Sequence, residues 1–200
     1  MDKNMIKKFA MWARRELIEK VSLKALQYGV EDRKDLNPDL DSINGILLTD
    51  IEKKQRQALI YKVKAEGYDQ VIEEVAYTWF NRFVALRFME VNGYLPSHIR
   101  VFTDENNCFN PQILSEALHL EFECIDKEKI IRMKQEHEDD ELYRYLLIVQ
   151  CNVLNDILPG VFQKITDFTE LLLPDFLLRD GSVIEQMIVS IPEEEWKNQV

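Results

Sequence analysis

The spacing of apolar and polar residues along most of the chain is that of amphipathic helices. The first apolar stripe follows intervals of three and four residues. Beyond Glu19 the register drifts, because Lys20 and Lys24 would fall in the apolar sector. We therefore predict a break near Ser22 and an end near Gly29. The stripe consists of Ile6, Phe9, Ala10, Ala13 and Leu17.

A capping box predicts the second helix. Thr49 is followed three residues later by Glu52, and this pair opens a helix that runs to about Glu66. Gly67 supplies its stop signal. The preceding segment, Gly29–Leu48, is predicted to be a loop, since its Asn-Pro and Asn-Gly dipeptides favour turns.

The strongest helical pattern covers Gln70–Asn92, with Asp69 as a cap and Gly93 as a stop. Its apolar residues cover more than one narrow stripe, which is typical of a helix buried on two sides. We expect this helix at the centre of the fold. The side chains expected in the core are Trp79, Phe80 and Phe83.

The second half of the chain contains shorter elements. Five residues, His98–Phe102, are a candidate strand, although so short a run does not distinguish strand from loop. The last residues begin a new helix at Pro192, which suggests a piece of a longer protein. The fold class is therefore mainly α, an irregular multi-helix domain over residues 1–200 with one or two very short strands. The predicted helices run from Asn110 to about His119, over Asp126–Gln135, from Glu136 to before Pro159, and from Ser182 to about Ser190.

Composition adds the class of protein. The chain has 200 residues, of which 46% are hydrophobic and 30% charged, as in ordinary soluble globular proteins. Three cysteines without a Cys-x-x-Cys spacing indicate neither a disulfide framework nor a zinc ribbon. The uncharged run Tyr145–Asn155 is too short to cross a membrane. We expect a cytoplasmic protein with no membrane partner.

The charge is unevenly distributed. A net charge of −11 argues against a nucleic-acid binder that relies on a global positive field. Residues 1–30, however, contain seven basic and three acidic side chains. A cluster on one side of the first helix can meet phosphates or an acidic partner surface, or it can be a solvated helix face. The candidate DNA-contact residues are Lys3, Lys7, Lys8, Arg14 and Arg15.

Cofactor motifs are missing. The sequence contains no G-x-G-x-x-G, no P-loop and no G-x-S-x-G, because its six glycines are scattered. It also lacks the Asn-Pro-Pro-aromatic motif of amino-methyltransferases, to which Asn37–Leu40 is the nearest string. We therefore assign no catalytic and no cofactor-binding residue to this chain.

Two groups of candidate metal ligands are weak. His119, Glu121 and Glu123 alternate and would share one face of a strand, while His137 lies within an acidic run. No two histidines have ligand spacing, so exposed loops and a solvated helix start explain both groups better. We assign no metal ligand.

A nuclease-like pattern, Pro-Asp followed by Glu-x-Lys, occurs twice. Pro38-Asp39 precedes Glu52-Lys53-Lys54, and Pro174-Asp175 precedes Glu195-Trp196-Lys197. Such a site needs Glu-x-Lys on a strand beside the aspartate, where the carboxylates hold Mg²⁺. Both Glu-x-Lys strings fall in first turns of predicted helices, so the nuclease is kept as an alternative.

Two stretches carry a family resemblance. The opening Ile6–Ile18, and more strongly Glu74–Pro96 with its Trp-Phe-Asn-Arg-Phe string, resemble the N-terminal part of the PglX family. These are the large adenine-specific DNA methyltransferases of BREX phage-defence systems. The segments around Pro174-Asp175 and Ile191–Trp196 fit the same region.

The resemblance implies what the whole enzyme does. PglX enzymes methylate adenine at N6 with S-adenosylmethionine, and the target base is flipped out of double-stranded DNA. The cofactor glycines and the Asn-Pro-Pro motif lie downstream of the matching region, so none of these functional residues has a counterpart here. The chain is then expected to be non-catalytic alone, to hold no cofactor, and to position DNA or dock other phage-defence proteins. The alternatives are the nuclease part of a fused restriction-modification enzyme and a helical protein-interaction module.

Overall fold

Helices form most of the chain in this computed structural model, which describes residues 3–33, 35–160, 162 and 168–198. Within these residues the fold is mainly α, as predicted, with a single pair of very short strands. The elements in chain order are α1 (Lys3–Gln27), β1 (Ser42–Ile43), β2 (Ile46–Leu47), α2 (Asp50–Glu66), α3 (Tyr68–Val91), α4 (Gln112–Ser115), α5 (Lys127–Gln135), α6 (Asp139–Asn155), α7 (Phe168–Leu171), α8 (Val183–Ser190) and a 3₁₀ turn (Glu193–Glu195).

The chain forms two compact units. Unit 1 comprises Met1–Ala13, Asn81–Lys164 and Phe176–Val200. Unit 2 comprises Arg14–Phe80 and Ile165–Asp175. Helices α1 and α3 contribute residues to both units.

The predicted break in α1 is wrong, because the helix continues to Gln27. Ser22 does not act as a new cap, since its hydroxyl lies 2.8 Å from the Tyr68 hydroxyl. Lys24 falls in the apolar sector, as its spacing requires, and its ammonium is paired with Asp175 at 2.6 Å. A buried cation is tolerated in a helix when it has such a partner. The helix then ends near the predicted Gly29, whose φ is +65°.

The predicted loop before α2 contains a small hairpin. Asn44 and Gly45 both have positive φ, 50° and 82°, as a type I′ turn requires. This turn joins β1 to β2 in an antiparallel pair. The predicted capping box is confirmed at the start of α2, where Thr49 and Glu52 bond to each other's backbone amides.

Unit 2 has Trp79 in its core. The side chain is 0% exposed, and its indole N–H donates a hydrogen bond to the Thr169 carbonyl oxygen at 3.0 Å. Gln55 donates to the Glu170 carboxylate at 3.1 Å, so α2 also holds α7. Phe80, predicted to be a core residue, is only half-buried.

In unit 1 the predicted strand at His98–Phe102 is wrong. Residues 98–102 form no strand, because side chains satisfy their backbone groups. The Glu90 carboxylate accepts from the Phe102 amide at 2.7 Å, and Tyr143 donates to the Val101 carbonyl at 2.8 Å. Phe83, a predicted core residue, is 1% exposed and meets Phe102 edge to face.

Two helix boundaries in unit 1 differ from the prediction, and one predicted cap is confirmed. α4 ends at Ser115 rather than near His119, and turns follow it. α6 begins at Asp139 rather than at Glu136, because His137 takes a positive φ of 57° between α5 and α6. The predicted cap Ser182 accepts from the Glu185 amide and starts α8.

Candidate nucleic-acid interface

The five basic residues predicted to contact DNA all belong to α1. At about 100° per residue, Lys3, Lys7 and Arg14 lie within about 40° of one another around the helix axis, and Lys8 and Arg15 form an adjoining row. The Lys3 side chain lies outside the described residues. The other four side chains are exposed. α1 therefore presents basic groups to solvent along two adjoining rows.

Arg14 already has a partner. Its guanidinium lies 3.1 Å from the Glu73 carboxylate on α3, and the two side chains are 69% and 55% exposed. An exposed ion pair of this kind contributes about 0–1 kcal/mol and exchanges readily for another anion. Sequence spacing alone did not reveal Glu73, because it is 59 positions away.

The basic residues of the first 30 positions are not all available to a ligand. Lys24 is 9% exposed, and Asp175 accepts hydrogen bonds from both Lys24 and Gln27. The cation anchors the segment that follows α7 to α1. The local excess of positive charge read from the sequence is therefore smaller than the count suggests.

Arg56 fixes the loop before α2. Its guanidinium donates to the carbonyl oxygens of Tyr28 at 2.7 Å, Asn37 at 2.8 Å and Pro38 at 3.2 Å. The side chain is 1% exposed, and burial, together with the nearby charge of Arg33, lowers the pKa of Arg56. This buried cation is structural and is not part of the exposed basic rows.

A second buried cation lies at the centre of a polar network in unit 1. Arg87 and Glu90 are one turn apart on α3 and pair at 2.5 Å with both side chains 0% exposed. Arg87 also donates to Asn107, and Thr103 donates to Glu90. The network fixes the segment after α3 to the helix. The sequence contains a signal for this buried pair, because two opposite charges three residues apart interrupt an otherwise apolar stretch of helix.

Tyr143 extends this network. Burial, together with the charge of Glu90, raises the pKa of Tyr143 well above its ordinary value. The phenol therefore stays neutral and donates its proton to the Val101 carbonyl at 2.8 Å. The hydrogen bond joins α6 to the segment after α3 and so supports the fold.

An open cleft of about 390 Å³ lies in unit 1, lined by α4 and the segment before it on one side and by residues of α5 and α6 on the other. Three carboxylates line it, from Asp104, Glu105 and Asp139, with a single ammonium from Lys134. Lys134 is bonded to the Leu114 carbonyl at 2.8 Å. The acidic lining disfavours a phosphate-bearing ligand.

The candidate metal ligands are not brought together. His119 lies in a turn, not on a strand, and its Nδ1 is 2.8 Å from the Glu116 carboxylate. His137 lies in the turn between α5 and α6. Among the described residues no group of three or more potential ligands is placed to hold a metal ion.

The nuclease patterns also lack the required setting. Glu52 serves in the capping box of α2, and the Lys53 ammonium is 2.7 Å from Asp41 rather than Asp39. Glu195 ends a 3₁₀ turn, and Asp175 is held by Lys24. Neither Glu-x-Lys string lies on a strand, so the feature that would favour the nuclease is missing from the described residues.

The three cysteines are free thiols. Cys108 and Cys124 are exposed, and Cys151 is buried in α6. Burial raises the pKa of the Cys151 thiol to about 12, so it remains protonated near neutral pH.

Comparison with known proteins decides the relationship. The adenine-specific methyltransferase PglX of Lacticaseibacillus casei (strain Zhang) is 36% identical over 98% of this chain. The adenine-specific methyltransferase BrxX of Escherichia coli (strain HS) is 30% identical, also over 98%. The chain is related to the PglX family. The predicted resemblance to PglX is therefore confirmed.

The match covers a small part of each relative. The chain spans 18% of the length of the PglX protein and 17% of the BrxX protein. No protein-family model matches the chain. No helix of the described residues is long and apolar enough to cross a membrane.

Proposed function

We propose that this chain is the N-terminal helical domain of an adenine-specific N6 DNA methyltransferase of the BREX phage-defence type. The observation that carries the proposal is the alignment of 98% of the chain with less than a fifth of two adenine-specific methyltransferases. The domain is non-catalytic alone and serves to position DNA or to dock other defence proteins. Because the substrate is DNA, the proposed location is the cytoplasm.

The downstream gene sequence tests this proposal directly. We expect an open reading frame that continues past Val200 and encodes an Asn-Pro-Pro-aromatic motif together with a glycine cluster for S-adenosylmethionine. A reading frame that stops at Val200, or that encodes an unrelated domain, would contradict the proposal.

We predict that the 200-residue chain does not bind S-adenosylmethionine. The reason is the absence of both the glycine cluster and the Asn-Pro-Pro motif from the sequence. Calorimetric titration of the cofactor into the chain should give no heat beyond dilution, whereas the full-length polypeptide serves as the positive control. Micromolar binding by the chain alone would overturn the prediction.

We further propose that the basic rows of α1 contact the phosphates of double-stranded DNA. The exposure of Lys7, Lys8, Arg14 and Arg15 supports this proposal. Phosphate contacts carry no base information, so these residues set the position of the enzyme and not its target sequence. The Glu73 carboxylate beside Arg14 gives way to a phosphate on binding.

The salt dependence of DNA binding tests this role. In the full-length polypeptide, log K for DNA binding falls as log salt rises. Arg14→Ala/Arg15→Ala should make this negative slope shallower by about two units, since each phosphate contact releases about one counterion. Sequence preference should not change. Lys20→Ala is the matched control, because Lys20 lies on the opposite side of α1 and pairs with Glu16. An unchanged slope in the double variant would remove the DNA role from α1.

A further inference from the structure

Three large aliphatic side chains within six positions of unit 2 are exposed to solvent. Ile46 and Leu47 of β2 are 71% and 79% exposed, and Ile51 in the first turn of α2 is 67% exposed. Successive strand residues point to opposite faces, so β2 is apolar on both faces. A solvated strand normally carries a polar residue on its outer face. We call these three residues the hairpin patch.

The hairpin patch stands on a fixed base. Ile43 is 9% and Leu48 8% exposed, so the last residue of β1 and the residue after β2 are anchored in unit 2. Ile43 packs against Gly29, where a Cβ would lie 3.3 Å from the Ile43 Cδ1 atom. The capping box formed by Thr49 fixes the connection to α2. A rigid apolar surface loses little conformational entropy when it is covered.

The charged groups around the patch are two carboxylates and one ammonium. The Lys53 ammonium lies 2.7 Å from the Asp41 carboxylate and 3.9 Å from that of Asp50. This rim offers no positive field for a phosphate backbone, so a nucleic acid does not fit. Within the described residues β2 pairs with β1 alone, so its outer edge has no neighbouring strand. The chemistry matches an apolar protein surface.

We propose that the hairpin patch is covered by the remainder of a PglX-type polypeptide, in an intramolecular contact between domains. This inference rests on the proposed function. The chain corresponds to 18% of PglX, so more than four fifths of such a polypeptide lies outside these residues. Because a tethered domain is held at a high effective concentration, a small contact area is enough to keep it docked. A second copy would need a larger interface than three aliphatic side chains provide, because stable interfaces between separate proteins bury about 1,200–2,000 Å².

Hydroxyl-radical footprinting compares the 200-residue chain with the full-length polypeptide. Oxidation of Ile46, Leu47 and Ile51 should fall at least about fivefold in the full-length polypeptide, as side chains that are two-thirds or more exposed become buried. Equal oxidation in both proteins would overturn the proposal. Protection that appears in the 200-residue chain alone and grows with its concentration would assign the patch to a second copy and would also overturn it.

Variants provide a second readout. Leu47→Ser should leave the unfolding of the 200-residue chain unchanged and should restore oxidation of Ile46 and Ile51 in the full-length polypeptide. Val189→Ser is the matched control, because Val189 is 66% exposed on α8 in unit 1. A Leu47→Ser variant that leaves the protection of Ile46 and Ile51 intact contradicts the proposal, whereas Val189→Ser should leave it intact. The gene sequence distinguishes a failure of the docking proposal from a failure of the proposed function. If a methyltransferase domain is encoded downstream and the patch is unprotected, only the docking proposal is refuted. If no such domain is encoded, both are refuted.

Discussion

Glu90→Gln is expected to lower the free energy of unfolding by about 3–5 kcal/mol, because it leaves a buried cation without its counter-ion. The Arg87 guanidinium is 0% exposed and pairs with Glu90 at 2.5 Å. The same carboxylate accepts from the Phe102 amide and the Thr103 hydroxyl, so its loss also weakens the segment after α3. Glutamine keeps the size of the side chain, but it removes the charge and replaces one of the two accepting oxygens with an amide donor.

Urea titration of the 200-residue chain, followed by circular dichroism, measures this effect. Arg14→Ala is the control, because it breaks the exposed pair with Glu73 and should cost at most about 1 kcal/mol. Arg87→Met/Glu90→Gln removes the orphaned cation and should recover part of the lost stability. A Glu90→Gln variant as stable as Arg14→Ala would show that the buried pair contributes nothing beyond an exposed one.

The features that the sequence predicted correctly depend on neighbours in the chain. The Thr49–Glu52 box and the Ser182 cap each involve residues three positions apart. Gly67 and Gly93 adopt the positive φ that ends a helix and that side chains rarely tolerate. Such signals are complete within one turn, so they are visible without the tertiary structure.

The features that the sequence predicted wrongly depend on distant partners. α1 continues past Ser22 because Lys24 meets Asp175, which is 151 positions away. Residues 98–102 form no strand because side chains from α3 and α6 satisfy their backbone groups. Periodicity carries no information on such contacts, and it therefore placed a break and a strand where neither exists.

The candidate interface was predictable only in part. Helical spacing placed Lys7, Lys8, Arg14 and Arg15 on one side of α1, and all four are exposed. Spacing did not predict that Arg14 pairs with Glu73, since the two residues belong to different helices. Their role in DNA binding stays a prediction.

Trp79→Ala is expected to lower the free energy of unfolding by about 3–5 kcal/mol, through lost burial and the cavity left behind. The side chain is 0% exposed in unit 2. Its indole also holds the Thr169 carbonyl of α7 at 3.0 Å, so the change should release α7 from the unit as well. Faster amide hydrogen exchange in residues 168–171 would report that release.

Two comparisons make the Trp79 result specific. Trp79→Phe keeps an aromatic ring and loses the indole N–H, so it should cost less than the alanine change and still speed hydrogen exchange in α7. Tyr77→Ala alters an aromatic residue of the same helix that is 67% exposed, and it should change stability by no more than about 0.5 kcal/mol. Trp79 is buried where the helical pattern predicted a core residue. The loss of unfolding free energy should therefore be largest for Trp79→Ala, smaller for Trp79→Phe and smallest for Tyr77→Ala. A Trp79→Ala variant that unfolds at the same urea concentration as Tyr77→Ala would mean that Trp79 does not hold unit 2 together.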